Sequence, residues 1–205
     1  MQIIDLTHKF DNITPVYPGD PVPKLDQIKS ISKDGYSAFK IQSCTHTGTH
    51  IDAPSHILEN GKTLSDFSLD TFIGRGKLID VRGKSPITEK CLEGITIEST
   101  DIIILYTGFS EKFKKPEYFI DYPVITQDFA NVLILKKAKM LGMDTPGPDR
   151  HPHAIHKKLL ENDVLLLENM TNLKKLLSIS EFRITALPLN LSADGAPARV
   201  IAEIQ

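Results

Sequence analysis

Apolar and polar residues alternate in some stretches of the chain and recur at helical spacing in others. The run FKIQSCT, residues 39–45, alternates and predicts a strand that leads into a histidine-rich segment, which Pro54 should end. Runs rich in Ile, Leu and Val predict four buried strands at 76–81, 101–107, 164–168 and 184–191. Helical spacing predicts helices over 126–139, 153–162 and 172–177. The pattern therefore indicates a mixed α/β chain with strands in the majority.

Composition narrows the class of protein further. The 205 residues are 40% hydrophobic, which suffices for one core, so we expect a single domain over residues 1–205. Lys and Arg number 24 against 26 Asp and Glu, and a net charge of −2 gives no field that would attract nucleic acid or a membrane. Asp5 and His8 interrupt the apolar core that a signal peptide needs, and two cysteines are too few for a disulfide framework. We therefore expect a cytoplasmic protein.

The segment HTGTHIDAPSH, residues 46–56, concentrates three of the seven histidines beside an aspartate. Imidazole and carboxylate are ligands that zinc and neighbouring metals prefer, and three protein ligands leave a coordination position open for water. Residues 46, 50 and 52 share one face of an extended backbone, and Gly48 permits a tight turn. The alternative to a metal site is that these are polar residues of a solvated loop, or core histidines hydrogen-bonded to backbone carbonyls. Burying several polar groups without shared partners is costly, however.

The same segment resembles the H-x-G-T-H-x-D-x-P-x-H signature of the metal-dependent cyclase superfamily, which includes bacterial kynurenine formamidases and isatin hydrolases. Four further segments are similar to the family and occur in the same order along the chain. They are IIDLTHKF, LGMDTPGPD, HAIHKKLLENDVLLLENMTNL and LPLNLSADGAPARVIA. The resemblance implies an α/β single domain with a central barrel-like or layered mixed β-structure flanked by helices, of the swivelling β/β/α type. It also implies a homodimer or larger homo-oligomer.

Site residues follow from the resemblance by position. His46, His50 and Asp52 would bind one metal, and Asp52 could bridge to a second metal held by His156 and Glu168. The cofactor would be one or two Zn²⁺ ions, with Mn²⁺ as the alternative. His56 corresponds to the catalytic histidine of the family. The residues agree with this assignment, since Glu168 closes an apolar strand where a carboxylate needs a partner, and an imidazole titrates near neutral pH.

The chain departs from the family pattern in two respects. Gly147 stands where many relatives have Ser, and the chain contains no Trp. An aromatic wall around a substrate would therefore come from Phe or Tyr, for which the candidates are Tyr17, Phe39 and Phe67. The remaining histidines are expected outside the site, with His151 and His153 in a surface loop and His8 in a structural role. The proline-rich residues 15–23 should lie against a partner subunit or the mouth of the pocket.

These features lead to the hypothesis of metal-assisted amide hydrolysis on a small-molecule substrate. An arylformamidase would hydrolyse N-formylkynurenine to kynurenine and formate, with His56 passing a proton to the leaving amine. An isatin-hydrolase-like enzyme, or another cyclic-amide or acyl hydrolase of the superfamily, would use the same ligands. A non-catalytic module that binds a metal or small molecule is the alternative of another class.

Overall fold

The computed structural model describes residues 1–204, in which most strands join one sheet that closes on itself. The closed ring runs β10-β4-β8-β7-β6-β5-β9 and returns to β10, while β1 pairs with the C-terminal part of β10. Strands β5 to β8 are mutually parallel, and β4, β9 and β10 run antiparallel to their neighbours. The strands are β1 (Gln2–Asp5), β2 (Lys24–Lys29), β3 (Ala38–Gln42), β4 (His50–Asp52), β5 (Ile73–Asp80), β6 (Asp101–Tyr106), β7 (Met140–Met143), β8 (Leu165–Glu168), β9 (Arg183–Pro188) and β10 (Gly195–Ile204).

Three α-helices accompany the sheet, and two of them pack against its core. They are α1 (Ile31–Asp34), α2 (Gln127–Leu135) and α3 (Ala154–Leu160). Helix α2 begins at an N-cap, where the Thr126 side chain accepts a hydrogen bond from the Phe129 backbone N–H, and it buries Phe129 and Leu133. Helix α3 buries Ile155, His156, Leu159 and Leu160, so one histidine points inward with the apolar face.

The parallel strands form the centre of the hydrophobic core. Every residue of β6, β7 and β8 is buried, as expected for strands covered on both faces. Because β8 ends in a glutamate at 168, this apolar strand delivers a carboxylate to the end of the barrel. Within residues 1–204, no helix combines the length and the apolar character needed to cross a membrane.

The predicted barrel-like α/β architecture is confirmed, and strands lie at all four predicted positions, 76–81, 101–107, 164–168 and 184–191, within a few residues at each end. The predicted burial holds throughout β6 and β8, whereas β5 and β9 are only partly buried. The strand predicted at 39–45 ends at Gln42 and pairs only with β2, in a hairpin outside the barrel. Residues 173–176 form a 3₁₀ turn rather than the predicted helix. Helix α2 stops at Leu135 because Lys137 adopts a left-handed backbone and residues 140–143 enter the sheet as β7.

Candidate metal centre

The histidine-rich segment reaches the site through a turn followed by a short strand. Only residues 50–52 are extended, so alternation places His50 and Asp52 on one face of β4. His46 lies before a turn in which Gly48 has φ +72°, a left-handed conformation that glycine adopts without steric cost. His46 therefore lies outside the extended strand, and the turn at Gly48 brings its side chain to those of His50 and Asp52.

Five side chains from three parts of the chain converge here. His46 Nδ1 lies 2.7 Å from Asp52 Oδ1, and His50 Nε2 lies 3.1 Å from the same oxygen. Pairing of β4 with β8 sets His50 opposite Glu168, and His50 Nε2 is 3.6 Å from Glu168 Oε2. From helix α3, His156 Nε2 lies 3.2 Å from Glu168 Oε1. The structure thus brings together all five residues predicted as metal ligands.

The two carboxylates at the centre are almost fully buried, with Asp52 at 1% and Glu168 at 4% exposure. Burial opposes ionisation of Asp52, but the charge and hydrogen bonds of His50 and His46 hold its pKa well below the ordinary value. Burial and the neighbouring Asp52 charge raise the pKa of Glu168, against the opposing effect of His156. Two carboxylates this close favour a positive charge between them.

Two of the imidazoles respond to these carboxylates. Burial disfavours the charged form of His46, but hydrogen bonds and charges of Asp52 and Asp194 raise its pKa to about 9. Burial likewise opposes protonation of His156, whereas the hydrogen bond to Asp149 and the charge of the nearby Glu168 carboxylate raise its pKa to about 10. Both shifts favour the cationic ring, with a proton on each nitrogen, in the metal-free protein, and a metal ion would have to displace one of these protons.

A divalent metal ion suits this set of donors. His50, Asp52 and Glu168 each offer one donor atom, and these three atoms lie within 4.8 Å of one another. The buried Glu168 Oε1 has no hydrogen bond that satisfies normal geometry among residues 1–204. A buried carboxylate oxygen without a hydrogen bond is costly unless it meets a cation. Nitrogen and oxygen ligands of this kind bind zinc and manganese alike.

His56 occupies the open side of the cluster. It ends a 3₁₀ turn, Pro54–His56, and its side chain is 34% exposed. Its ring centroid is 4.0 Å from that of His46, and its Nδ1 lies 3.5 Å from Asp194 Oδ2. This partly open position beside the five clustered residues is where a proton-transfer group could meet a bound substrate.

A cavity of about 370 Å³ opens over the cluster. Tyr17, Phe119 and Tyr122 supply its aromatic lining, and Asp20 also lines it. The proline-rich residues 15–23 therefore contribute to the mouth of the pocket, as expected. Phe39 and Phe67 do not line this cavity: Phe39 is exposed on the β2–β3 hairpin, and Phe67 lies under Lys62 at a different surface cleft. Among the predicted aromatic residues, only Tyr17 is in place to contact a substrate.

Three further residues of the site were not predicted from the sequence. His153 lines the cavity and stacks edge-on against His156 at 4.9 Å, so its prediction as a surface loop residue was wrong. Asp194 contacts His46 and His56, and Asp149 hydrogen-bonds His156. Both aspartates lie in segments that resemble the family, LGMDTPGPD and LPLNLSADGAPARVIA, and this was the one available signal for them.

The other two histidines lie away from the cluster. His151 is exposed. His8 stacks on Phe113 with ring centroids 3.7 Å apart, and burial together with the Lys114 charge lowers the pKa of His8 to about 4. A neutral ring packed on an aromatic ring agrees with the structural role expected for His8.

Substituting Gly147 with alanine is expected to weaken zinc binding about 10-fold, by analogy with mutations that disturb the support of a ligand. A Cβ at this position would lie 2.8 Å from His156 Cε1 and 3.3 Å from Glu168 Oε1, so both side chains would have to shift. The backbone at 147 has an ordinary negative φ and should accept alanine. Zinc titration of the metal-free protein tests this, and an affinity within twofold of the unsubstituted protein would contradict it.

The closed mixed barrel, with a buried cluster of histidines and carboxylates at its end, defines an α/β barrel protein with a candidate metal centre. Known proteins resemble this chain in both sequence and fold. The sequence model of the Cyclase family matches residues 4–150. A kynurenine formamidase of Bacillus thuringiensis subsp. konkukian is 31% identical over 203 residues, covering 97% of this chain and 95% of that protein. The chain belongs to the Cyclase family.

Solved structures agree with this assignment. A potential metal-dependent hydrolase with cyclase activity is 28% identical and superposes with a TM-score of 0.82, covering 100% of this chain and 98% of the other. An isatin hydrolase bound to the product analogue thioisatinate is 20% identical with a TM-score of 0.89, covering 99% and 92%. At that identity, the second comparison shows the shared fold alone.

Proposed function

We propose that this protein is a metal-dependent arylformamidase that hydrolyses N-formylkynurenine to kynurenine and formate. The observation that carries the proposal is the buried set His46, His50, Asp52, His156 and Glu168 with the partly exposed His56 beside it. A purely structural metal site has no need of a titratable group at its open side. Full-length similarity to a kynurenine formamidase supports the choice of substrate.

In this proposal, the five clustered residues would hold one or two zinc ions, with Asp52 between them, and manganese is the alternative. A divalent cation held there would lower the pKa of water and polarise the substrate carbonyl. One ion would be held by His46, His50 and Asp52, and the other by His156 and Glu168.

His56 performs the proton transfer in this mechanism. The oxygen of water forms a bond to the formyl carbon, the carbon–nitrogen bond breaks, and a proton released from water reaches the leaving amine through His56. Asp194, whose Oδ2 lies 3.5 Å from His56 Nδ1, would orient the ring for this transfer. Burial opposes ionisation of Asp194, but hydrogen bonds from His46, Thr45 and His56 hold its pKa below the ordinary value.

The cavity lining agrees with an aromatic substrate that carries an ammonium group. Tyr17 and Phe119 are packed edge to face at 5.8 Å and offer an aromatic wall for a planar ring. Asp20 adds a carboxylate, and no Lys or Arg of the described chain lines this cavity. N-formylkynurenine combines an aryl amide with a zwitterionic amino acid group, whose ammonium could pair with Asp20, whereas a purely anionic aryl amide has no such cation.

Two finer points complete the proposal. The resemblance to the family supports a homodimer or larger homo-oligomer, which light scattering of the purified protein would measure. A cytoplasmic location is the second point, which fractionation of the producing cells would test.

The experiment that tests the proposed function is formate release from N-formylkynurenine. The purified protein is assayed as prepared, after removal of metal by a chelator, and after zinc or manganese is restored. We expect rapid release that is lost on chelation and recovered with one of the two metals. N-formylanthranilate, an anionic aryl formamide without the ammonium group, is the matched comparison substrate and is expected to react more slowly.

The alternatives give different results in the same assay. Stoichiometric metal with opening of isatin but without formate release would favour an isatin-hydrolase-like activity. Metal binding without turnover of either substrate would favour a non-catalytic binding module. A protein that binds neither zinc nor manganese would contradict the proposal.

A further inference from the structure

Each of the three clustered imidazoles is held by both of its nitrogens. One nitrogen of each ring faces the carboxylates Asp52 and Glu168, as the distances above show. The other nitrogen is bonded from behind by a separate partner. For His50 that partner is a backbone carbonyl, because Nδ1 lies 2.8 Å from the Gly48 oxygen. For His46 and His156 the partner is in each case an aspartate that was not assigned to the metal cluster.

Asp194 supports His46. Its Oδ2 lies 2.9 Å from His46 Nε2, and its Oδ1 accepts a hydrogen bond of 2.9 Å from the Thr45 hydroxyl. The Asp194 carbonyl accepts a hydrogen bond from the Ala53 backbone, which fixes the loop before β10 against the histidine-rich segment. A Cβ at Gly195 would lie 2.7 Å from His46 Cε1, so the loop passes directly over the ring.

Asp149 supports His156 from the opposite side of the cluster. Its Oδ1 is hydrogen-bonded to His156 Nδ1, and its Oδ2 accepts a hydrogen bond of 2.6 Å from the Ile155 backbone N–H. The hydroxyl of Tyr122 donates to the Asp149 carbonyl at 2.7 Å. Asp149 is 8% exposed, so both its backbone and its carboxylate are fixed inside the protein.

A carboxylate behind a ligand histidine determines which ring nitrogen carries the proton. It retains the proton on the rear nitrogen, leaves the lone pair of the front nitrogen facing the metal position, and makes the ring a stronger donor. We propose that Asp194 and Asp149 are positioning residues for two different ions. Asp194 serves the ion held by His46, His50 and Asp52, and Asp149 serves the ion held by Asp52, His156 and Glu168.

This inference rests on the metal centre of the proposed function, but its test measures zinc binding and needs no substrate. Metal-free protein is titrated with zinc against a competing indicator, so that each equivalent gives its own affinity. We expect Asp149→Ala to weaken one equivalent 10- to 100-fold and Asp194→Ala to weaken the other by a similar factor. The Asn variants retain a hydrogen-bond acceptor and are expected to recover part of the affinity.

Two controls separate positioning from general damage. Asp121→Asn alters a carboxylate that is 90% exposed and pairs with Arg150, and its zinc affinities should equal those of the unsubstituted protein. Thermal unfolding of the metal-free variants identifies any that fail to fold. If an Ala variant does not fold, the inference is tested with the folded Asn variant instead. We expect that variant to bind one of the two zinc ions more weakly and the other unchanged.

Other outcomes would overturn the inference. Zinc affinities within threefold of the unsubstituted protein in the folded Asp149 and Asp194 variants would show that these residues do not support the ligands. Equal weakening of both ions by each variant would contradict the assignment of one aspartate to each ion. If these affinities behave as expected while no substrate is hydrolysed, the proposed function fails and the positioning roles stand.

Discussion

Asp52→Ala is expected to lose both equivalents of bound zinc and to reduce formate release by on the order of 10³-fold or more, because the metal contributes several kcal/mol to the transition state. Asp52 Oδ1 lies within 3.1 Å of both His46 and His50, and its carboxylate is within 4.8 Å of that of Glu168. Removing it therefore takes a ligand from each proposed metal position. Zinc content after dialysis and the rate of formate release are the two measurements.

Asp163→Asn provides a control for this prediction, since Asp163 has a left-handed backbone with φ +55° that asparagine adopts more readily than alanine. Asp163 is half exposed, pairs with Lys62, and lies outside the metal cluster and its cavity. Its variant should keep both zinc ions and the activity. An Asp52→Ala protein that retains two zinc ions would contradict the bridging role, and one that retains a single ion would leave Asp52 as a ligand of only one position. Circular dichroism of both variants establishes that the fold is kept.

The barrel strands could be predicted because their burial is visible in the sequence. The run DIIILY of β6 and the run LLLE of β8 are apolar on both faces, which is typical of parallel strands covered on both sides. Strand β7 was missed because it has only four residues and follows a helix of similar composition. Strand β10 was missed because Gly195 and Pro197 interrupt its pattern, although both residues pair with β4.

The metal cluster was predictable to the extent that it is contiguous in sequence. His46, His50 and Asp52 stand within seven residues, and the family resemblance supplied His156 and Glu168. Asp194 is 148 residues away from His46, and nothing local to either residue indicates their contact. The aromatic lining depended on tertiary packing in the same way. Phe39 and Phe67 have the right chemistry, but the hairpin and the folding of residues 62–68 place them elsewhere.

His56→Ala is expected to lower kcat by roughly 10²- to 10⁴-fold while zinc content stays unchanged, the range that loss of a general acid–base group produces. The ring lies beside His46 and near Asp194 on the open side of the cluster. It can therefore reach a leaving amine in the cavity without being needed to hold the metal. Kinetics with N-formylkynurenine and metal analysis of the same preparation test both parts of the prediction.

Added imidazole distinguishes proton transfer by His56 from a structural contribution. Removal of the partly exposed ring leaves space that a free imidazole can enter, so activity of His56→Ala should rise with imidazole concentration. The unsubstituted protein should show no such rise, since its own His56 ring already occupies this space. His151→Ala removes an exposed histidine that does not line the cavity and should behave like the unsubstituted protein. If His56→Ala loses zinc in proportion to its activity, the residue is a ligand, because a proton-transfer group contributes to the rate without holding the ion.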